Sequence, residues 1–216
     1  WKIIRSDSKK YSSLLKEIKK FALENKAPTE IVFGTSGWRG ETGTDFTFNN
    51  VRITTTAIIE MFKDEDPQTM EALGVKDFKE ILRRGVIVGH DNRFLGPEFA
   101  SSVMGLLTKE GIKVYYAGES ITPELSASID MLQAACCINL TPSHNPSNYS
   151  GFKFNPSDGG PADTVITNVI ERNANRLMAE KTVIEEVKPE GIHKINTISL
   201  YEDFLKKRGT IKLERI

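Results

Sequence analysis

Residues 85–89 read Gly-Val-Ile-Val-Gly, a short and almost wholly apolar run that decides the fold class of this chain. Such a run is typical of a strand buried on both faces of a parallel sheet. Two further segments, at 113–116 and in the apolar run at 134–140, are predicted strands, and apolar spacing predicts helices between the strands, one opening at Pro97 and one at 124–131. This alternation predicts right-handed crossovers and an α/β fold with a mixed, mostly parallel sheet flanked by helices.

Further elements are predicted on both sides of this repeat. They are helices at 9–23, 51–62, 162–180 and 198–205, short strands at 31–33 and 151–154, and a loop-like acidic segment with some helix at 63–80. Asn49 or Asn50 is the candidate cap of the second of these helices. The strand at 151–154 is expected to return along the edge of the sheet, and residues 34–40 are expected to form a glycine-rich loop.

The composition excludes several partner classes. The chain has 29 basic and 29 acidic side chains, whereas binding to nucleic acid or to an anionic membrane needs clustered positive charge. We therefore expect no nucleic acid and no membrane as partner, and no apolar run approaches the ~18 residues of a membrane span. Cys136 and Cys137 are adjacent and cannot build a disulfide framework or a zinc knuckle, which favours a reducing, cytoplasmic compartment.

The length of 216 residues suits one large domain, or one domain and the start of another. The sequence becomes more charged and less periodic after residue 181, and Pro-Glu-Gly at 189–191 breaks it. We expect a domain at 1–190, then a linker and the start of a second domain at 191–216, too short for a core of its own. Trp1 stands where a methionine is expected, which predicts a trimmed piece of a longer chain.

The loop after the predicted strand at 134–140 carries the candidate chemistry, because ligands of open α/β sheets bind at the carboxyl ends of the strands. It reads Thr-Pro-Ser-His-Asn-Pro at 141–146, with a proline on either side of Ser143, His144 and Asn145. Fixed φ angles would hold one hydroxyl in place, and a serine held beside a histidine can act as a nucleophile or phosphoryl carrier. Because Pro, Ser and Asn are also ordinary turn residues, these residues alone favour a plain turn.

Four motifs in order resemble the α-D-phosphohexomutase family, which includes phosphoglucomutase and phosphomannomutase. They are Gly-Thr-Ser-Gly-Trp-Arg-Gly at 34–40, Gly-His-Asp-Asn-Arg at 89–93, Thr-Pro-Glu-Leu at 122–125, and the 141–146 run followed by Gly-Phe-Lys at 151–153. Together they cover about residues 31–160 and resemble the first domain of that family. The run Asn-Pro-Ser-Asp-Gly-Gly-Pro-Ala at 155–162 is similar to an extension in the glucose-specific branch, which favours glucose 1-phosphate and glucose 6-phosphate as substrates.

The resemblance implies a role for each candidate site residue. Ser143 would carry a phosphoryl group that passes to and from a hexose phosphate through a hexose 1,6-bisphosphate. Arg39 would reach that group, and Lys153 would assist charge stabilisation or proton transfer. The implied catalytic set is Ser143, His144, Lys153 and Arg39, and the implied phosphate- and substrate-binding set is Thr35, Ser36, Arg39, Asn145 and Lys153. The role of His144 stays open, and support of the loop by His90 or Arg93 is no better favoured than packing or a surface ion pair.

The resemblance also implies a magnesium ion, which the family holds between the phosphoserine and an aspartate run, Asp-Gly-Asp-x-Asp-Arg. That run does not occur in this sequence, so the expected metal ligand is Ser143 through its phosphoryl group, with the aspartates in a second domain. The clustered carboxylates of Asp64, Glu65 and Asp66 are interpreted as a solvated loop. The implied partners are hexose phosphates and the missing domains of the same chain, and the piece alone is expected not to turn over substrate.

Two other functional classes remain open. A serine hydrolase would need a Gly-x-Ser-x-Gly elbow, which is absent, and Ser143 follows a proline. A non-catalytic phosphosugar-binding module would need only the glycine-rich loop and Arg39. Dinucleotide binding is disfavoured because the glycines at 34, 37 and 40 are spaced by threes. If these two cations have no functional role, Arg39 is a solvated loop charge and Lys153 is an edge-strand lysine that faces water.

Overall fold

A mixed seven-stranded sheet flanked by helices organises the chain, which confirms the predicted α/β fold. The computed structural model describes residues 7–24 and 30–209, so Trp1 and residues 210–216 lie outside the described residues. The elements are α1 (Ser8–Glu24), β1 (Phe33–Gly34), β2 (Gly37–Glu41), α2 (Phe48–Asp64), α3 (Pro67–Leu73), α4 (Phe78–Arg84), β3 (Val86–His90), α5 (Gly96–Lys109), β4 (Val114–Glu119), α6 (Thr122–Leu132), β5 (Cys136–Leu140), β6 (Tyr149–Asn155), α7 (Thr164–Ala179), β7 (His193–Lys194) and α8 (Thr197–Lys207). Among these elements, no helix offers the long uncharged apolar stretch that a bilayer crossing requires.

The strand order is β1-β2-β6-β5-β3-β4-β7. The pairs β5–β3, β3–β4 and β4–β7 are parallel. The first two come from the strand and helix repeat that the sequence predicted, whereas β7 was not predicted. The pairs β1–β2, β2–β6 and β6–β5 are antiparallel. The sheet therefore has a parallel half and an antiparallel half, and β5 is the strand where they join.

Strands β3 and β5 are buried at every position, as their apolar sequences predict. Alternate residues point to opposite faces: Val86 and Val88 belong to the large core beneath α2, α5 and α7, whereas Ile87 packs with Leu125 and Ile129 of α6. The two strands are in register up to the pair His90 and Leu140. The loops that follow them therefore leave the same edge of the sheet side by side.

The prediction that residues 151–154 form an edge strand is wrong. Strand β6 lies inside the sheet, between β2 and β5, because residues 33–41 form a β-hairpin rather than a loop and add two strands outside it. Gly37 makes this packing possible: its φ is +110°, and a Cβ there would come within 2.5 Å of the Phe152 carbonyl oxygen. Glycine is required here because two strands approach each other closely, and not because a loop needs a flexible backbone.

An aromatic cluster fixes strand β2 to the helices. Trp38 stacks on Phe46 with a ring separation of 4.7 Å, and Phe99 of α5 lies 5.0 Å from Phe46 and 4.7 Å from Phe48 of α2. Trp38 is buried, and side chains alternate along a strand, so its neighbour Arg39 points to the other face of the sheet. Packing of the cluster thus positions a candidate site residue.

Helix α2 begins three residues before the predicted start. Its cap is Thr47, whose hydroxyl accepts from the Asn50 backbone N–H at 3.1 Å, and not Asn49 or Asn50. The amide of Asn50 instead donates to the Asp45 carbonyl at 2.8 Å. Both asparagines are buried and hold loops rather than the helix end, which the spacing of apolar residues could not show.

The acidic segment at 63–80 contains two short helices. Asp66 caps α3 by accepting from the Thr69 N–H, Asp77 caps α4 by accepting from the Glu80 N–H, and Glu65 adopts a left-handed conformation between α2 and α3. The carboxylates at 64–66 thus lie at helix boundaries.

The last described residues pack on the domain. Strand β7 pairs in parallel with β4, and α8 is tied to α6 by the Thr197 hydroxyl, which donates to Glu124 at 2.9 Å. The division predicted at residue 190 stays a prediction.

Candidate active site

The serine loop, residues 141–149, follows β5 and presents Ser143 to solvent. Ser143 has φ +63°, a left-handed conformation that is unusual for a residue with a side chain. Its backbone N–H donates to the Thr141 hydroxyl at 3.1 Å, and the Asn145 N–H donates to the Pro142 carbonyl at 3.4 Å. These bonds hold the serine in a strained turn of a kind that occurs most often at functional sites.

Asp91, the first residue after β3, supports the serine loop from the adjacent strand. Its carboxylate accepts from the Thr141 hydroxyl at 2.6 Å, so Thr141 accepts from Ser143 and donates to Asp91 at the same time. The same carboxylate lies 3.4 Å from Arg93 Nε and also accepts from the Arg93 backbone N–H at 3.0 Å. In-register pairing of β3 with β5 brings these residues together although 50 positions separate Asp91 from Thr141.

Arg93 donates to four carbonyl oxygens of the serine loop. The acceptors are Ser143 at 3.3 Å, Asn145 at 2.5 Å, Tyr149 at 3.2 Å and Pro146. Of the two residues considered for loop support, Arg93 contacts the loop directly. The other, His90, is buried and bonds the Asp91 carbonyl at 2.7 Å and the Tyr116 hydroxyl at 3.0 Å.

Gly151 lets strand β6 approach the serine loop. A Cβ at this position would come within 2.5 Å of the Thr141 carbonyl oxygen and 2.7 Å of the Pro142 Cα. Gly151 is also the cross-strand partner of Arg39, so the missing side chain leaves space for the guanidinium. The Gly-Phe-Lys motif thus has a steric reason for its glycine.

Arg39 reaches the serine loop from β2. Its Nε donates to the Pro142 carbonyl at 3.2 Å, and its Nη2 donates to the Ser36 hydroxyl at 3.2 Å. Ser36 and the exposed Thr35 form the turn of the β1–β2 hairpin. The structure thus places Arg39 against Pro142, the residue before Ser143, and Ser36 against Arg39, with Thr35 next to Ser36 in the chain.

Lys153 lies half-buried on β6, inside the sheet and not on its edge. Burial lowers the pKa of Lys153, the positive charge of Arg39 lowers the pKa further, and the negative charge of Asp91 raises it. Because the charge of Arg39 disfavours the ammonium of Lys153, an anion bound beside both side chains would stabilise that ammonium. The position of Lys153 therefore suits contact with a phosphoryl group.

The other two candidates lie in the loop itself. His144 is exposed beside Ser143, and Asn145 is half-buried. Asn145 contributes through its backbone, with the N–H on Pro142 and the carbonyl on Arg93. These contacts assign Asn145 to loop structure, while the role of His144 stays open.

A cavity of about 500 Å³ borders the site at Asp91 and Asn92. Its lining carries the carboxylates of Asp91, Glu119 and Glu124, and within the described part of the chain no Lys or Arg lines it. An anionic ligand is therefore favoured at the serine loop, beside Arg39 and Lys153, and not in this cavity.

Comparison with known proteins decides the family. Residues 30–181 match the family model described as "Phosphoglucomutase/phosphomannomutase, alpha/beta/alpha domain I". The chain belongs to the phosphoglucomutase/phosphomannomutase family. The predicted family resemblance is thereby confirmed, and the matched residues include the hairpin, the serine loop and Lys153.

Relatives of this family member carry more than one name. A phosphoglucomutase of Staphylococcus haemolyticus (strain JCSC1435) is 31% identical over 177 residues, covering 81% of this chain and 30% of the relative. A phosphoribomutase of Saccharomyces cerevisiae is 29% identical over 159 residues, covering 70% and 24%. A crystal structure described as a "putative phosphomannomutase" of Thermus thermophilus is 31% identical with a TM-score of 0.64, covering 83% of this chain and 36% of that one. The chain thus spans about 30% of the length of the first curated relatives it matches.

Proposed function

We propose that this chain carries the phosphoryl-bearing serine of a sugar phosphomutase, Ser143, and that the whole protein interconverts hexose 1-phosphate and hexose 6-phosphate, with glucose as the first candidate. The observation that carries the proposal is an exposed serine in a strained, heavily bonded loop, with Arg39 hydrogen-bonded to the preceding residue, Pro142, and Lys153 on the adjoining strand. Exposure allows a sugar to reach the hydroxyl, and the two cations suit a phosphoryl group.

In the proposed reaction a free sugar hydroxyl attacks the phosphorus on Ser143. The bond from phosphorus to the Ser143 oxygen breaks, the serine oxygen takes up a proton, and the attacking hydroxyl loses one. The bound hexose 1,6-bisphosphate turns over and returns its other phosphoryl group to Ser143, which leaves the isomeric monophosphate. Positioning and charge neutralisation account for most of the rate acceleration in enzymatic phosphoryl transfer.

Arg39 and Lys153 have different tasks in this scheme. The planar guanidinium of Arg39, held by Pro142 and Ser36, suits the oxygens of the phosphoryl group. The ammonium of Lys153, on the adjoining strand, carries a proton that it can donate to the departing serine oxygen. Charge neutralisation by Arg39 and proton donation by Lys153 both require these side chains to lie beside Ser143.

Among the described residues, the ligand that we propose for a magnesium ion is the phosphoryl group on Ser143. Within residues 7–24 and 30–209, no three His, Cys, Asp or Glu side chains converge on a possible metal position. The exposed serine would offer an oxygen of its phosphoryl group, and the other ligands would come from elsewhere in the full protein. When bound, magnesium would neutralise charge on the transferring group.

A pentose phosphate is the second candidate substrate, because one of the relatives is named a phosphoribomutase. The run at 155–162, which favoured glucose on sequence grounds, begins at the end of β6 away from the serine loop. There Ser126 donates to the Gly159 carbonyl at 2.8 Å, and the Ser157 N–H donates to the Leu73 carbonyl at 3.2 Å. Because these contacts are structural, we treat the choice of sugar as open to experiment.

The test is incubation of the chain with glucose 1,6-bisphosphate or ribose 1,5-bisphosphate, followed by peptide mass spectrometry. We expect one phosphoryl group on the peptide that contains Ser143, and mutase assays of the whole protein with each sugar phosphate would identify the sugar. Ser143→Ala should abolish the label, whereas Ser147→Ala, at an exposed serine of the same loop, should keep it. No label with either donor would favour a binding module, and labelling by a fluorophosphonate would favour a serine hydrolase.

A further inference from the structure

Several carbonyl oxygens of the serine loop converge on a single side chain. Four of them, from residues 143, 145, 146 and 149, accept from the Arg93 guanidinium. Carbonyl oxygens carry partial negative charge and would repel a phosphoryl group. Because they converge on Arg93, that charge is neutralised inside the loop.

Arg93 differs from Arg39 in how its charge is used. Its side chain is 19% exposed, and it lies against the Asp91 carboxylate as well as the four carbonyls. Its charge is therefore balanced within the protein. Among the described residues, Arg39 donates to Pro142 and Ser36 and keeps further donors for an incoming anion.

The left-handed Ser143 is held from both sides. Such a conformation is unfavourable for a residue with a side chain and persists only where the surroundings determine it. On one side the Thr141 hydroxyl accepts from the Ser143 N–H and donates to Asp91, and on the other Arg93 donates to the Ser143 carbonyl. Thr141 is buried, so loss of its hydroxyl would deprive the Ser143 N–H of its acceptor and leave the Asp91 carboxylate with its contacts to Arg93 alone.

We propose that Arg93, Asp91 and Thr141 act together as positioning residues that set the direction of the Ser143 hydroxyl for phosphoryl transfer. This inference rests on the proposed function of Ser143 as the phosphoryl carrier. The planar fork of arginine can serve several carbonyls and one carboxylate at once, which the single ammonium of a lysine cannot. The three residues need not contact the substrate.

Two pairs of variants test the proposal. Thr141→Val removes the hydroxyl, and Thr141→Ser retains it. Arg93→Lys keeps the charge and loses the fork, and Arg176→Lys is its matched control. Arg176 also makes four hydrogen bonds, but to the exposed carboxylates of Glu60 and Glu180.

The first readout is the rate of Ser143 phosphorylation by the bisphosphate donor over a range of donor concentrations. We expect Thr141→Val and Arg93→Lys to lower the saturating rate by about 10²-fold, the effect of misplacing a reacting group by about 1 Å, with little change in the half-saturating concentration. Thr141→Ser and Arg176→Lys should stay close to the unmodified chain. Equal saturating rates in all five proteins would overturn the proposal.

The second readout is amide hydrogen exchange of the serine loop, which needs no activity. Exchange at the Ser143 N–H should quicken in Thr141→Val and Arg93→Lys, while exchange in β3 and β5 stays slow. If the unmodified chain takes up no phosphoryl group, the proposed function fails, and exchange still decides whether these residues hold the loop. If Arg93→Lys does not fold, Thr141→Val carries the test, and unchanged exchange and rate in that variant would contradict the proposal.

Discussion

Lys153 owes part of its lowered pKa to Arg39, which gives a test of their proximity. Arg39→Gln should raise the pKa of Lys153, because it removes a positive charge that disfavours the ammonium. Asp91→Asn should lower the pKa further, because it removes the compensating carboxylate. At a fixed alkaline pH the neutral fraction of Lys153 should therefore fall in the first variant and rise in the second.

The measurement is an NMR titration of the Lys153 side chain, with Arg176→Gln as a control that should leave its midpoint unchanged. A midpoint that does not respond to Arg39→Gln would show that the two cations are not neighbours. A phosphoryl group on Ser143 should also raise the midpoint, because it adds negative charge beside the ammonium.

Gly151 is a position of the site where a side chain would not fit. Gly151→Ala places a Cβ against the backbone of Thr141 and Pro142, so we expect a loss of about 1–3 kcal/mol in the free energy of unfolding. Urea denaturation measures it. Gly34→Ala is the matched control, since the nearest atom to its Cβ is 3.9 Å away. Equal midpoints for the two variants would contradict the close approach.

At the residue level, sequence resemblance identified Ser143, Arg39 and Lys153, and the structure brings all three to one place. The support by Thr141 and Asp91 could not be predicted. Their contact depends on the register of β3 with β5, which a single sequence does not reveal. The sequence feature that came closest to predicting this contact was the motif at 89–93, in which Arg93 also holds the serine loop.

Among the secondary-structure elements, the hairpin and its neighbour show where sequence reasoning failed. Glycines at 34, 37 and 40 suggested a loop, but the glycines at 37 and 40 serve close packing against β6 and against Asp45. Once that stretch forms strands, β6 cannot remain at the edge. The helices were predicted better, because apolar periodicity persists over several turns, whereas caps such as Thr47 depend on one side chain.

Gly105 provides a test of how α5 packs. Replacing glycine by alanine inside a helix ordinarily stabilises it by up to about 1 kcal/mol. Here a Cβ would lie 1.9 Å from the Val187 carbonyl oxygen, so Gly105→Ala should instead destabilise the protein by about 1–3 kcal/mol.

Thermal or urea unfolding measures this change. Ser101→Ala, on the same helix and partly exposed, is the control and should leave stability nearly unchanged. A more stable Gly105→Ala variant would show that residues around Val187 do not pack on α5.

For the molecule as a whole, the α/β class followed from the apolar runs, while the antiparallel half of the sheet did not, because it depends on pairings between distant segments. Family membership followed from motif resemblance and not from composition. The balanced charge gave no hint of an anionic ligand, since two placed cations are enough.

The 216-residue chain alone should accept a phosphoryl group and stop there. The Asp-Gly-Asp-x-Asp-Arg run that would supply the expected metal-binding aspartates does not occur in this sequence. A coupled assay that follows conversion of glucose 1-phosphate to glucose 6-phosphate should therefore show no sustained turnover. A steady mutase rate, abolished by Ser143→Ala, would contradict this division of labour.

The most direct test of the central claim is the stoichiometry of phosphoryl transfer from glucose 1,6-bisphosphate. The account predicts one phosphoryl group per chain, located on Ser143 by mass spectrometry, with one equivalent of hexose monophosphate released. Release without a modified serine, or modification of any serine other than Ser143, would contradict the account.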